Sequence, residues 1–297
     1  MRTAAWLRRR VAGGPLLVCP GAANALAARI VEDCGFEACY VTGAGIANSY
    51  LGTPDVGLVT LTELAGHVSA IRAAVALPLV IDADTGFGNT VGVQRTVRVL
   101  ERAGADAIQL EDQVAPKRCG HFSGQQVITV GEMAAKVRAA VDARHDDAVL
   151  IVARTDARSA EGFEAALERA ARYAAAGADV TFVEAPLTEE ELLAVPRRLP
   201  GVPQVVNLVD GGRTPLLPLD RLGDFRIALL ANLALQGAIR GMQRALTTIR
   251  ETGSLAEAAA DVAPWAERQR LVRKPDFDEL EERYPAESGR DAARPSV

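Results

Sequence analysis

Carboxylates stand at the carboxyl ends of several short apolar runs: Asp82 and Asp84, Glu111 and Asp112, Asp156, and Glu184. Groups of like charge repel one another in a low-dielectric pocket unless a cation joins them or each finds its own partner. The donors here are all oxygens, and the chain holds only three histidines, His67, His121 and His145. The cation such a set would take is therefore hard, Mg²⁺ or Mn²⁺ rather than zinc. In Asp82-Ala83-Asp84 two carboxylates share one side of an extended segment, because side-chain direction alternates with period two. Taken singly, each acid could instead cap a helix or pair with an arginine.

The segment Pro116-Lys117-Arg118-Cys119-Gly120-His121 follows Glu111 and Asp112 within a few residues. Cationic neighbours draw a thiol's pKa towards neutrality, so Cys119 could trade a proton near pH 7. An inert loop cysteine among solvated charges is the alternative. Arg154 could grip a carboxylate through a bidentate pair, or form a structural salt bridge with Asp156 or Glu184. The turn Gly211-Gly212-Arg213-Thr214-Pro215 could wrap a carboxylate in backbone N–H groups, or simply reverse the chain. Gly43-Ala44-Gly45 lacks the third glycine and the acid of a dinucleotide fingerprint. It predicts a close approach of backbone to substrate and no nicotinamide cofactor.

These residues need a scaffold that gathers strand ends. Apolar runs at 16–19, 39–42, 79–82, 107–111, 149–153, 181–184, 204–207 and 227–230 alternate with Ala-rich stretches of helical period, without a linker, from Pro15 to about Arg250. The pattern predicts an α/β fold, a (β/α)₈ TIM-type barrel with its site at the carboxyl ends of the strands. A doubly wound open sheet shares the alternation. Ala103-Gly104-Ala105-Asp106 recurs as Ala176-Gly177-Ala178-Asp179, each before a strand. Capping boxes at Thr60/Glu63, Thr129/Glu132, Thr188/Glu191 and Ser254/Glu257 mark helix starts. Leu235, Ala238, Ile239, Met242, Leu246 and Ile249 recur at helical spacing and read as a core stripe. Residues 1–253 are expected to form the barrel. Residues 254–297 are expected to form a helical appendage and polar tail, packed on the barrel or on another subunit.

The bulk properties narrow the partners. A chain of 297 residues, 49% hydrophobic and 24% charged, suits one large barrel or two ordinary domains. A net charge of -5 argues against nucleic acid, whose phosphates require clustered Lys and Arg. An acidic substrate is still compatible if a metal or a few focused basic groups meet it. Cys19, Cys34, Cys39 and Cys119 are too few for a disulfide framework, and a reduced cytoplasmic interior is the default expectation. The basic start, 1–10, and the uncharged stretch 11–28 imitate a signal peptide. Gly13, Gly14, Pro15, Pro20 and Gly21 break that stretch, leaving 16–19 as a buried strand, and no other run is suited to span a membrane.

Lys117-Arg118-Cys119-Gly120-His121, preceded by Glu111-Asp112-Gln113, resembles the signature of the isocitrate lyase and phosphoenolpyruvate mutase superfamily. So do Tyr40-Val41-Thr42-Gly43, Leu51-Gly52-x-Pro54-Asp55, Asp82 through Gly88, Ala153-Arg154-Thr155-Asp156 and Gly211-Gly212-x-Thr214-Pro215. The resemblance implies a (β/α)₈ barrel, usually a homotetramer that exchanges a C-terminal helix between subunits. By residue-to-residue carry-over, Asp82 and Asp84 would hold Mg²⁺, directly or through water, with Asp55, Glu111 and Glu184 nearby. Thr42, Gly43 and Ala44 would line the carbonyl end of a small carboxylate substrate, and Arg154, Asn207, Gly120 and His121 would contact its carboxylates.

The implied activity is carbon–carbon cleavage of a 2-hydroxy di- or tricarboxylate, of 2-methylisocitrate or alkyl-malate type, to a 2-oxo acid such as pyruvate. A base, Tyr40 or one of the carboxylates, would take the hydroxyl proton, and Cys119 would protonate the departing carbanion. Phosphonate P–C bond formation, oxaloacetate hydrolysis or decarboxylation, and a barrel without catalysis are the alternatives. Two departures bear on substrate choice. Phe122-Ser123-Gly124 stands where 2-methylisocitrate lyases often carry Arg-Pro-Asn, and Leu233-Ala234-Leu235 where many members carry Tyr-Pro.

Overall fold

In the computed structural model, which describes residues 3–118, 120 and 124–285, eight parallel strands close into a barrel in sequence order. They are β1 (Leu17–Ala22), β2 (Cys39–Val41), β3 (Leu79–Asp82), β4 (Ala107–Glu111), β5 (Leu150–Thr155), β6 (Val180–Val183), β7 (Gln204–Asn207) and β8 (Ile227–Leu230). The barrel settles the choice against an open sheet, because β8 pairs with β1 from Leu17↔Ile227 to Pro20↔Leu230. Each strand is buried on both faces, which is why its sequence is a continuous apolar run rather than an alternation. Inward residues such as Tyr40, Val80, Val152, Phe182 and Leu229 form one cluster, while Ile81, Ile108 and Ile151 face the surrounding helices in another.

The helices are α1 (Thr3–Gly13), α2 (Ala25–Asp33), α3 (Gly43–Ile46), α4 (Leu61–Ala74), α5 (Thr90–Ala103), α6 (Val130–Ala143) and α7 (Ala157–Ala160). They continue with α8 (Phe163–Ala175), α9 (Glu189–Arg198), α10 (Leu233–Thr252), α11 (Leu255–Ala258), α12 (Trp265–Leu271) and α13 (Lys274–Arg283). Thr60 and Glu63 make the full reciprocal box at α4. Thr129, Thr188 and Ser254 each accept the N–H three residues on. The Glu191 carboxylate turns instead to the Leu187 N–H and the Arg158 fork.

Helix α1 has no counterpart among the expected elements. Its Leu7 and Val11, one turn apart and fully buried, join the cluster inside the barrel and close its amino-terminal mouth. Two of the arginines that give the chain its basic start are spent on neighbours: Arg8 pairs with Asp179 at 2.8 Å and Arg10 with Glu37 at 3.2 Å. The Ala-Gly-Ala-Asp repeat acts at this same end. Gly104 and Gly177 take left-handed φ values of 109° and 108°, which glycine adopts without strain. Asp106 then accepts the Leu79 N–H and pairs with Arg72. In the same way Asp179 accepts the Ile151 N–H and pairs with Arg144. Each aspartate ties the start of its strand to the strand before it.

The chain divides into two compact units, Met1–Arg240 and Gly241–Val297. In the second, Arg244 pairs with Asp261 at 2.5 Å and the Arg268 guanidinium lies 4.2 Å from the centre of the Trp265 ring. The stripe expected to be core on α10 is not: the helix buries none of its residues, with Ile239, Met242 and Leu246 41%, 56% and 67% exposed. Its helical period is real, but among the described residues nothing buries it. No described helix is long and apolar enough to cross a membrane.

Candidate active site

At the carboxyl ends of the strands the inward positions turn polar. Register sets Asp82 beside Gln109, Glu111 beside Arg154, and Arg154 beside Phe182. Above them lies a cavity of about 30 Å³ lined by Tyr40, Thr42, Ala44, Asp55, Asp82, Lys117, Gly120, Arg154, Glu184, Asn207, Val209, Ala231 and Asn232. Of the residues singled out from the sequence, Gly43, Asp84 and Glu111 stand just behind this lining. Cys119 and His121 lie outside the described residues, as do Phe122 and Ser123.

Two loops meet over the cavity. The first follows β3, where Asp84 adopts a left-handed φ of 48° and Phe87 one of 55°, a conformation that is strained for a residue with a side chain. Asp84 is therefore not in the extended segment expected for Asp82-Ala83-Asp84; the turn, not strand alternation, brings the two carboxylates together. The Asp84 N–H and the Gln109 amide donate to Asp82 Oδ1, and the Gly43 N–H donates to Asp82 Oδ2 at 3.3 Å. A Cβ on Gly43 would sit 3.1 Å from Asp82 Oδ2 and 3.3 Å from Asp84 Oδ1, so a side chain there would crowd both acids.

The second loop carries Lys117, whose ammonium lies 2.5 Å from Asp55 Oδ1 and 2.8 Å from Asp84 Oδ1. Burial disfavours that charge, but Asp84, Glu111, Asp55 and Asp82 together hold it well above the usual lysine range. Burial pushes the Asp84 carboxyl up to about 6 against the pull of Lys117, so near neutral pH the pair stands as carboxylate and ammonium. Lys117, expected from its place beside Cys119 to be one of the thiol's cationic neighbours, also answers the acids Asp55 and Asp84. On either side of Cys119 the loop is pinned. Gln113 exchanges hydrogen bonds with the Arg118 backbone at 2.8 and 2.9 Å, and the Gln125 amide donates to the Gly120 carbonyl at 2.9 Å. A Cβ on Gly120 would collide with Arg154 and Glu184.

Arg154 is clasped by acids. Its Nε and Nη2 donate to Asp156 at 2.9 and 2.8 Å, Glu111 lies at 3.5 Å and Glu184 at 3.4 Å, and its face lies over Phe182. The salt bridge weighed as its bland alternative is thus present, on a side chain that also lines the cavity. Asp112 and Asp156, grouped with the converging acids on sequence, do not line it. Asp112 is taken up by Thr155, Tyr173, Arg169 and the Asp156 N–H. Glu111 is raised well above the usual carboxylate range by burial, against Arg154, and its Oε1 has no hydrogen-bond partner among the described residues. Tyr40, whose hydroxyl accepts from Gln109 at 3.1 Å, is likewise raised by burial and by Asp82 and stands as a neutral phenol.

Among the described residues no three His, Cys, Asp or Glu side chains gather closely enough to cage a metal. Mg²⁺ does not need such a cage, since one or two carboxylates suffice when water and substrate complete its octahedron. Asp82 and Asp84 fit that kind of site and do not fit a closed zinc site. Sequence reasoning missed Gln109, Val209, Ala231 and Asn232. Gln109 had a signal, lying two residues before Glu111 on one strand and hence on the same face. The other three lie beyond strand ends in loops whose path no local pattern sets.

A (β/α)₈ barrel with carboxylates and one arginine around a strand-end cavity defines the class. The chain belongs to the phosphoenolpyruvate phosphomutase family, whose model matches residues 7–250. It is 41% identical over 287 residues to the 2,3-dimethylmalate lyase of Eubacterium barkeri, covering 96% of this chain and 99% of that one. It is 44% identical over 250 residues to the 2-methylisocitrate lyase of Aeropyrum pernix, covering 84% and 80%. Among solved structures, that of phosphonopyruvate hydrolase in complex with oxalate and Mg²⁺ is similar with a TM-score of 0.87 and 30% identity, over 96% of this chain and 99% of that one.

Proposed function

We propose that this protein is a carbon–carbon lyase that cleaves a 2-hydroxy di- or tricarboxylate of the 2,3-dimethylmalate or 2-methylisocitrate type. The observation that carries the reading is the joining of Asp82, Arg154, Asn207 and Gly120 around one cavity, in a chain over 40% identical to two lyases of such substrates. A divalent cation at Asp82 and Asp84, Mg²⁺ or Mn²⁺, would supply Lewis-acid polarisation of substrate oxygens. Arg154, Asn207, Gly120 and His121 take the substrate carboxylates, and Thr42, Gly43 and Ala44 border its carbonyl end. Asp55, Glu111 and Glu184 complete the acidic surround, and Tyr40 presents a phenol hydroxyl at the cavity wall.

The reaction balances as a retro-aldol cleavage. The 2-hydroxyl loses its proton and becomes a carbonyl as the bond between C2 and C3 breaks. The electron pair passes to C3, where the adjacent carboxylate delocalises it. C3 then takes a proton from Cys119, leaving a 2-oxo acid and a second carboxylic acid. Support for Cys119 comes from its sequence neighbours: Arg118 and Gly120 are each held by a glutamine side chain, and Gly120 lines the cavity. A proton donor contributes about 10²–10⁴-fold to rate. Cys119→Ser should lose at least about 10²-fold in turnover while still binding oxalate with Mg²⁺; undiminished cleavage would remove Cys119 from the mechanism.

The structural likeness to phosphonopyruvate hydrolase favours one second reading, cleavage or formation of a P–C bond. Phosphorus NMR of phosphonopyruvate incubated with the enzyme separates the two. We also propose a homotetramer that covers the exposed apolar face of α10, residues 254–297 acting as an appendage to a 1–253 barrel, and a cytoplasmic location. The free thiols of Cys19, Cys34 and Cys39 accord with a reducing compartment.

A further inference from the structure

We propose that Tyr173, on the outer helix α8, is a positioning residue for Arg154 and acts through Asp112 and Asp156. The inference rests on the reading of Arg154 as a carboxylate-binding group. Tyr173 is fully buried, and its hydroxyl donates to Asp112 Oδ2 at 2.7 Å. The same oxygen accepts from Thr155 Oγ1 at 2.7 Å and from Arg169 Nη1 at 3.3 Å. The other carboxylate oxygen accepts the Asp156 backbone N–H at 2.9 Å. Asp112 thus fixes the backbone at the carboxyl end of β5, and Asp156 passes that placement to Arg154 through its two-pronged bond to Nε and Nη2.

The consequence is directional. With Nε and Nη2 committed to Asp156, the guanidinium plane is set, and Nη1 is turned towards Glu184. A rotation of that plane would carry the group away from any carboxylate in the cavity, since bidentate recognition tolerates little angular error. A carboxylate buried at 0% exposure costs stability unless its partners are well arranged. Core packing alone gives no reason to hold Asp112 behind the cavity with four donors on it. Orientation of Asp156 does.

Tyr173→Phe removes one hydroxyl and keeps the ring. Isothermal titration of the full-length protein with oxalate in the presence of MgCl₂ should show about tenfold weaker binding than the wild type, the size expected for coupled neighbours in one network. In an Arg154→Ala background, or Arg154→Lys should the alanine variant fail to fold, adding Tyr173→Phe should change affinity less than about twofold. Unchanged affinity of Tyr173→Phe alone overturns the proposal. So does a tenfold loss that persists without Arg154, because the hydroxyl would then act on the core at large. Wild-type oxalate affinity in Arg154→Ala itself would overturn the site reading beneath it, and the proposal with it.

Discussion

The Lys117 ammonium lies 2.8 Å from Asp84 Oδ1, and this buried pair joins the loop after β4 to the turn after β3. The same ammonium reaches Asp55 at 2.5 Å, so one cation answers two acids at the edge of the cavity. Removing it leaves carboxylates without a counter-charge in a poorly solvated place. Lys117→Met should cost about 3 kcal/mol of folding stability, as breaking a buried pair does. Thermal unfolding reads the loss, and MgCl₂ should recover part of it in the variant by binding the folded state. An unchanged Tm would mean the pair is without consequence.

The strained turn that carries Asp84 is held from behind. Lys136 of α6 donates to the Thr85 carbonyl at 3.2 Å, and Thr96 of α5 to the Gly86 carbonyl at 2.9 Å. Lys136→Met should therefore weaken Mg²⁺ binding by about tenfold or more, in the range seen when outer-shell partners of metal ligands are lost. Calorimetric titration with MgCl₂ checks this; wild-type affinity would show that the turn keeps its shape unaided.

Acid stability has a local contributor at α9. Burial alone would raise Glu191, but the Arg158 fork at 2.8 and 2.9 Å and the Leu187 N–H outweigh it and hold the carboxyl below its ordinary value of 4.5. A depressed acid contributes stability that is full above the unfolded value and is lost as pH falls through the folded one. Between pH 4.5 and that lower folded value, Arg158→Met should flatten the fall in stability. Urea midpoints measured across the acid range test it, and parallel curves for the two proteins would count against the contribution.

How far the fold could be read in advance follows from burial. Strands buried on both faces announce themselves as apolar runs, so β3, β4, β7 and β8 have the bounds the runs suggest. Helix α1 was hidden because the charges of Arg8, Arg9 and Arg10 mask the three buried positions, Ala4, Leu7 and Val11, that dock it. Leu7→Ala should cost about 2–5 kcal/mol, as large-to-small changes in packed cores do. Because it lies at the mouth opposite the site, KM should stay unchanged. Denaturant unfolding and steady-state kinetics together check both halves.

The candidate site was legible where strand period controlled direction, as for Asp82 and Arg154, which line the cavity, and Glu111, which stands behind it. It was not legible where a loop chose its partner in space. Lys117 could not be matched to Asp55 and Asp84 from their separations in sequence, nor Asp112, just past the end of β4, to Thr155, Arg169 and Tyr173. The α10 stripe was visible as apolar, but helical period alone does not say whether an apolar face is covered, and here it is exposed.

That exposed face is a prediction in its own right. Met242 and Leu246, one turn apart on α10, are 56% and 67% exposed, and adjoining exposed apolar side chains mark an interaction surface. Light scattering should give a mass of four chains for the wild type, and Leu246→Glu should lower it. A monomeric wild type would contradict the tetramer.

The most direct test of the central claim is a single assay of the purified protein with Mg²⁺ and either 2,3-dimethylmalate or 2-methylisocitrate, following 2-oxo acid formation. The account predicts stoichiometric pyruvate from one of them, abolished by EDTA and restored by added Mg²⁺. Intact substrate in both reactions, with Mg²⁺ in excess and the protein folded, would contradict it.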